Sequence, residues 1–428
     1  MPHSTAHIRL RLSALAITGL LPLLSLPAHA TNGYFQHGIG IKAQGLAGVG
    51  IALPQDALAG ATNPAGIAAV GHRADVGLTL FAPRRSASLT GNAFGPDESF
   101  SGDGKKTFAI PEFGYVRPIN AQTSVGLAVY GNGGMNTDYA QSPYSRFAGP
   151  GEAGINLEQL FISPSVAYKV NDTHTLGAAL TVAHQRFKAK GIGFFGGFSA
   201  FPGNVSDQGI DRTTGAGIRL GWTGQITPEL RLGATWASKI NGRFDRYKGL
   251  FADGGGFDVP ENFGVGLAWQ ASRALTLAAD VQHIRYSKVG SVGNSSASVF
   301  AGQPLGSAGG PGFGWRDQTV LKLGAQYQVN EKLTLRGGVS VADQVIPPSQ
   351  TFFNILAPGT VQTHLTLGAT WKLAGGGELS GFVAHALGKT VRGSGSVPPG
   401  FPPAGLGGGE ANVGLRENII GVAYGWSF

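Results

Sequence analysis

The final stretch of the chain, residues 419–428, constrains its fold more than any other. Ile420, Val422, Tyr424, Trp426 and Phe428 fall on one face of an extended strand, and Ile419, Gly421, Ala423, Gly425 and Ser427 on the other, because successive side chains of a strand point to opposite sides. One face is large, apolar and aromatic; the other is mostly small. A water-soluble sheet would bury the large face. A strand in a membrane barrel would show it to lipid, with the aromatics at the interface.

The other end of the chain agrees. Arg9 and Arg11 precede an apolar run from Leu12 to Leu26 that Pro22 interrupts, and Pro27-Ala28-His29-Ala30 offers small residues at a cleavage position. This is the pattern of a secretory signal peptide over residues 1–30, too short and broken for a membrane helix. No later segment has the ~20 apolar residues that a spanning helix needs. A β-chain that crosses a membrane must then close into a barrel, since only closure satisfies every backbone group in lipid.

Composition fits that inference. Charged residues are 13% of the chain, against about 25% in soluble domains, and glycine supplies 70 of 428 residues. Mean hydropathy is only +0.05, as expected when lipid-facing and lumen-facing residues alternate. The chain has no cysteine, which removes thiolate metal sites and cysteine nucleophiles; a closed barrel manages its edges without disulfides. The formal charge of +8 comes without Lys/Arg runs interleaved with aromatics, so nucleic acid is not the expected partner. The positive bias suits anionic outer-membrane lipid or an anionic ligand.

Residues 31–72 do not alternate and read as a compact segment of short helices and turns. Residues 73–428 carry about fourteen strand-like stretches: 73–89, 109–117, 122–131, 155–169, 174–189, 208–226, 229–244, 258–270, 274–288, 316–329, 332–344, 360–373, 377–391 and 411–428. Their connections alternate. Short turns such as Asn171-Asp172-Thr173 and Asn330-Glu331 exchange with long segments such as 132–154 and 289–315. Short periplasmic turns and long outer loops mark outer-membrane barrels. The sequence therefore predicts an all-β fold, a transmembrane antiparallel β-barrel of about 14 strands. Its closing Phe428 resembles the C-terminal residue that the barrel-assembly machinery reads.

Three local patterns carry a family resemblance. The first is Gly38…Gly45-Leu46-Ala47-Gly48…Asp56-Ala57…Asn63-Pro64-Ala65. The second is Pro111-Glu112-Phe113-Gly114-Tyr115-Val116-Arg117-Pro118-Ile119-Asn120 with Ser124-Val125-Gly126-Leu127, and the third is Gly131-Asn132-Gly133-Gly134-Met135-Asn136-Thr137-Asp138-Tyr139. In this order the chain resembles the FadL family of outer-membrane transporters for long-chain fatty acids and other hydrophobic compounds. The resemblance implies an N-terminal hatch over residues 31–72, blocking the lumen. It also implies passive uptake, lateral release through a gap at a kinked third strand, and strand three leaving into an outer loop near Gly131. No cofactor is implied.

Candidate site residues follow. Asn63, Pro64 and Ala65 form a rigid corner that would register the hatch against the wall, since Pro64 fixes its own φ and biases Asn63 to extended geometry. Pro164 lies within a strand, where proline is confined to edges and bulges; it is expected either at a bulge near a rim or where it helps open the wall between strands three and four. The apolar loops hold Tyr144, Phe147, Phe194, Phe195, Phe198, Phe201, Phe352 and Phe353, a groove for capturing ligand or a packed cap over the mouth. Arg219, Arg231, Lys322, Arg336 and Lys372 share parity with small residues and point inward, where some of them, Arg219, Lys322 and Arg336 foremost, would pair a carboxylate ligand. More of these inward charges are expected to belong to structural networks with acids such as Asp280 and Glu378. No Gly-x-Ser-x-Gly or His-Glu-x-x-His motif occurs, and Val383 breaks the phosphate-loop pattern ending at Gly388-Lys389-Thr390. No catalytic or metal residues are assigned. Long-chain fatty acids are the expected ligand; aromatic hydrocarbons, other apolar nutrients and a general porin are the alternatives. No strand shows a subunit face, so a monomer is expected.

Overall fold

The computed structural model describes residues 32–402 and 404–428; the expected signal peptide lies outside them. One antiparallel sheet holds β1 (Arg73–Thr90), β2 (Glu98–Ser101), β3 (Phe108–Pro118), β4 (Thr123–Tyr139), β5 (Ala153–Lys169), β6 (His174–Lys190), β7 (Asp211–Gln225), β8 (Leu230–Ala237), β9 (Asn262–Gln270), β10 (Leu275–Ile284), β11 (Gln318–Gln328), β12 (Leu333–Ala342), β13 (Thr363–Lys372), β14 (Gly377–Val391) and β15 (Glu410–Ser427). β15 pairs back on β1, from Arg73–Ser427 to Thr90–Glu410, and closes the ring. β2 pairs only with the upper part of β1. The remaining fourteen strands form the barrel.

Alternation decides which face meets lipid. On β15, Ile420, Val422 and Tyr424 are exposed while Ile419, Gly421 and Ala423 point inward. Exposed Leu and Val on β1, β7, β9, β11 and β13 continue the apolar belt. Tyr168, Trp269, Tyr327, Trp371 and Tyr424 stand outward toward the short-turn end, an aromatic girdle at one membrane interface. The chain end is clasped there: Phe428 N donates to His72 O at 3.0 Å, and the two rings lie 4.6 Å apart.

Residues 32–72 fold inside the ring, with short helices at Ile41–Gln44 and Ala59–Thr62 and a 3-10 turn at Pro64–Ala69. The walls approach this segment so closely that glycine is required. A Cβ on Gly177 or Gly221 would overlap the Asn63-Pro64-Ala65 corner, and one on Gly324 would press on Leu46. Much of the chain's glycine therefore makes room for a filled lumen. The largest apolar core lies among the outer loops above it.

Two strand expectations are corrected. β4 does not end near Gly131; it continues to Tyr139 past a register shift between Gly131 and Gly133. A bulge adds one residue and reverses the parity beyond it. Tyr130 faces inward before the shift, and Met135, Thr137 and Tyr139 do so after it, so the alternation reads as broken. The second correction concerns Pro164. It pairs with Leu127 in a β4–β5 ladder that runs unbroken past it, so the third and fourth barrel strands do not part there. Its missing N–H falls where the β5–β6 ladder skips from Ile162–Val182 to Ser165–Ala179.

Candidate functional site

The wall is interrupted one seam earlier. The β3–β4 ladder ends at Phe113–Val129, although β3 continues up to Phe108 against β1 and β4 continues to Tyr139 against β5. The two strands meet again only through the segment leading into β3, where Asp138 N donates to Gly102 O at 3.0 Å and Gly104 N to Asp138 O at 2.9 Å. The result is a window in the sheet between residues 108–112 and 130–137. Its cause is local: the bulge at Asn132 turns β4 away from β3, as bulges bend the strand that carries them.

From inside, the start of the hatch supplies some of the partners that β4 loses. Gln36 N donates to Asn132 O at 2.7 Å, Gly134 N donates to Tyr34 O at 3.0 Å, and Phe35 bridges to Gly133. Tyr34 and Tyr286 are buried, with ring centroids 5.2 Å apart, and both pack on Trp315.

Beside the window is a small cavity of about 40 Å³. Phe81, Pro83 and Arg85 of β1 and Gly134, Met135 and Asn136 of β4 form one side; Trp315, Pro358, Leu415 and Glu417 complete it. A second, almost wholly apolar cavity of about 30 Å³ lies among Phe187, Phe195, Phe251, Phe313 and Phe353. Both are far smaller than the ~300–1,000 Å³ of small-molecule sites, so loading either of them requires its lining to move.

Of the loop aromatics picked out in the sequence, Tyr144, Phe195, Phe352 and Phe353 are buried, while Phe147, Phe194 and Phe198 are half-buried. Tyr144 lies within 5.4 Å of Phe194, Phe195 and Phe352 and donates to Phe352 O at 3.1 Å. Phe198 packs on Phe300, and Phe201 stays exposed under the Lys248 ammonium. Most of the set thus packs together, with only Phe195 and Phe353 reaching a cavity. Sequence reasoning missed Phe81, Met135, Trp315 and Glu417. Glu417 shares the small-residue parity of β15, which was the available signal; Trp315 lies in a glycine-rich loop with no periodicity to orient it.

The inward basic residues bond to the hatch and the wall. Lys322 donates to His37 O at 3.0 Å and Gly48 O at 3.4 Å. Arg336 donates to Gln55 Oε1 at 2.6 Å and Thr370 Oγ1 at 2.7 Å, and Arg219 to Thr62 O at 3.3 Å. Lys322 and Arg336 are held by hatch and wall, Arg219 bonds them through one nitrogen, and none of the three lines either cavity. Carboxylates grip the hatch in the same way. Asp280 accepts from Gly50 N at 2.8 Å and Ile51 N at 3.0 Å, Glu112 from Ile41 N at 2.9 Å, and Asp75 from Ala57 N at 2.8 Å. Lys42 and Arg73 each meet Glu378 at 2.6 Å. Asn63 donates to Ile51 O at 2.8 Å and Trp222 O at 3.0 Å and accepts from Ala65 N, so one side chain ties the corner to itself and to β7.

Within the hatch, burial and then the neighbouring Asp75 carboxylate push the Asp56 carboxyl up to about 6. A group whose pKa is raised on seating opposes seating when charged, and the opposition fades as pH falls through the raised value. Asp56→Asn is therefore expected to hold the hatch more firmly than the wild type at pH 8, by on the order of 2 kcal/mol, and equally well at pH 4. Hydrogen exchange of the 41–62 amides checks this. Equal protection of the two proteins at pH 8 would refute it.

Residues 30–390 match the family described as outer membrane protein transport protein (OMPP1/FadL/TodX). No curated protein matches the chain. Among solved structures, a Pseudomonas aeruginosa FadL homologue superposes with a TM-score of 0.68 at 17% identity, covering 93% of this chain and 100% of that one. The Ralstonia pickettii toluene transporter TbuX gives 0.62 at 21% identity, with 92% and 99% covered. The P. putida toluene transporter TodX gives 0.64 at 17% identity, also with 92% and 99% covered. At these identities the structures show a shared fold, and the sequence match supplies the family. A closed fourteen-strand barrel with a filled lumen and the match over most of its length place this chain in the FadL/TodX family of outer-membrane transport proteins.

Proposed function

We propose that this protein takes up small apolar molecules passively across the outer membrane. Ligand collects among the outer-loop aromatics, passes the cavities at Phe353 and Trp315, and leaves sideways into the bilayer through the β3–β4 window. The observation that carries this reading is the window itself, which opens beside an apolar cavity while the hatch fills the axial route. An exit into the membrane suits a molecule that partitions into hydrocarbon, and a porin for polar solutes would need neither window nor hatch.

Uncharged compounds fit better than fatty acids. The expectation of long-chain fatty acids leaned on the family resemblance and the basic bias of the chain, and the inward cations that would meet a carboxylate, Lys322 and Arg336 above all, bond to the hatch instead. The relatives described as toluene transporters support the same choice. The test is uptake of labelled toluene and labelled oleate by cells lacking their own hydrophobic channels, with and without this protein. Toluene uptake that depends on the protein is the expected result. Oleate uptake alone would return the ligand to fatty acids, and uptake of neither, with the barrel inserted, would sink the channel reading.

A further inference from the structure

Glu417 is the one acid in the lining of the Trp315 cavity. It is 1% exposed, and both carboxyl oxygens lack a hydrogen-bond partner. The nearest basic atom that pairs with it is His364 Nε2 at 3.9 Å, itself without a hydrogen bond; His364 Nδ1 is held by Ser340 Oγ at 3.1 Å, and the ring stacks on His37. Buried polar groups in native proteins are nearly always paired, and one that is not calls for an explanation. Arg85, the cation in the same lining, offers little to a ligand. It makes four hydrogen bonds, to Asp103 Oδ1, Asn136 O, Asn136 Oδ1 and Lys105 O.

We propose that Glu417 is the polar recognition group of this cavity and selects apolar molecules that carry one hydroxyl. The inference rests on the channel reading and names its substrate class. A hydroxyl both donates and accepts, so it pairs with one carboxyl oxygen in either protonation state. A plain hydrocarbon of the same shape leaves the carboxyl oxygens buried and unpaired, which is the larger penalty in such comparisons. A carboxylate ligand would bring a second negative charge beside Glu417, with four of the five Arg85 N–H donors already engaged. Phe81, Met135, Trp315 and Leu415 supply the apolar surface for the rest of the molecule.

The test uses a matched pair, p-cymene and its hydroxylated form thymol, with dodecanoate as the anion. Binding to the purified full-length protein is titrated in detergent, and uptake is followed in cells lacking other hydrophobic channels. The wild type is expected to bind thymol roughly tenfold or more tightly than p-cymene, and dodecanoate weakest. In Glu417→Leu the thymol-to-p-cymene ratio should fall towards one. Glu417→Gln, which keeps a polar amide in place, should retain most of the preference and guards against a folding artefact in the leucine variant. Equal binding of the pair by the wild type, or an unchanged ratio in Glu417→Leu, overturns the proposal. If p-cymene uptake still depends on the protein in that case, the channel reading survives alone; if neither compound enters or binds, both readings fall.

Discussion

Asp280→Ala raises the ion conductance of the barrel in planar bilayers. The wild-type carboxylate of β10 accepts hydrogen bonds from two consecutive hatch amides, Gly50 and Ile51, and it is 1% exposed. Alanine leaves both N–H groups buried without that acceptor, at ~1–3 kcal/mol each. That is enough to shift the seating of the hatch by one to several orders of magnitude. Asp280→Asn keeps an acceptor oxygen and should leak far less. Adding Glu112→Ala, which frees Gly40 N and Ile41 N at the other end of the hatch, should open the lumen further. Wild-type conductance in an Asp280→Ala barrel that is folded and inserted would mean that the hatch is held by its other contacts.

Deleting Asn132 is expected to abolish uptake while leaving the barrel folded. Gly131 pairs with Leu160 and Gly133 with Gln159 on β5, so removing the one extra residue makes that ladder continuous and leaves the other residues of β4 facing as they did. Without the bulge, β4 has no cause to leave β3 above Phe113–Val129, and the β3–β4 ladder extends beyond that pair. The variant should be at least as heat-resistant as the wild type and should transport at least roughly tenfold less, as expected when an obligatory exit is closed. Deletion also removes Asn132 O, the acceptor of Gln36 N, from the pairing between β4 and residues 34–36. Conductance measured on the same variant separates a sealed wall from a displaced hatch. Unimpaired uptake would place the exit elsewhere.

The barrel was legible because its signal is periodic and repeated. Leu365, Leu367 and Trp371 opposite Thr366 and Thr370, and Ile420, Val422 and Tyr424 opposite Gly421 and Ala423, leave one orientation that avoids charge in lipid. That rule also pointed Lys322 and Arg336 inward. It could not say what they meet there, because their partners, His37, Gly48 and Gln55, lie 274 or more residues away in the chain. The loop aromatics show the same limit: composition marked Tyr144 and Phe352 as apolar, and only the fold shows them packed on each other.

The sequence by itself determined the strand count, the lipid-facing parity, the closed topology and the family. Each follows from residues close together in the chain and from the rule that backbone in lipid must be paired. Tertiary structure alone decided where the wall opens, which charges hold the hatch and which carboxyl is left over for a ligand. The bulge at Asn132 hides in the sequence as a lapse of alternation. It becomes a window only because β3 stays with β1 while β4 stays with β5. Glu417 is one inward residue among many on β15. It becomes distinctive only because distant segments bring Trp315 and Arg85 beside it while leaving both carboxyl oxygens without a hydrogen bond.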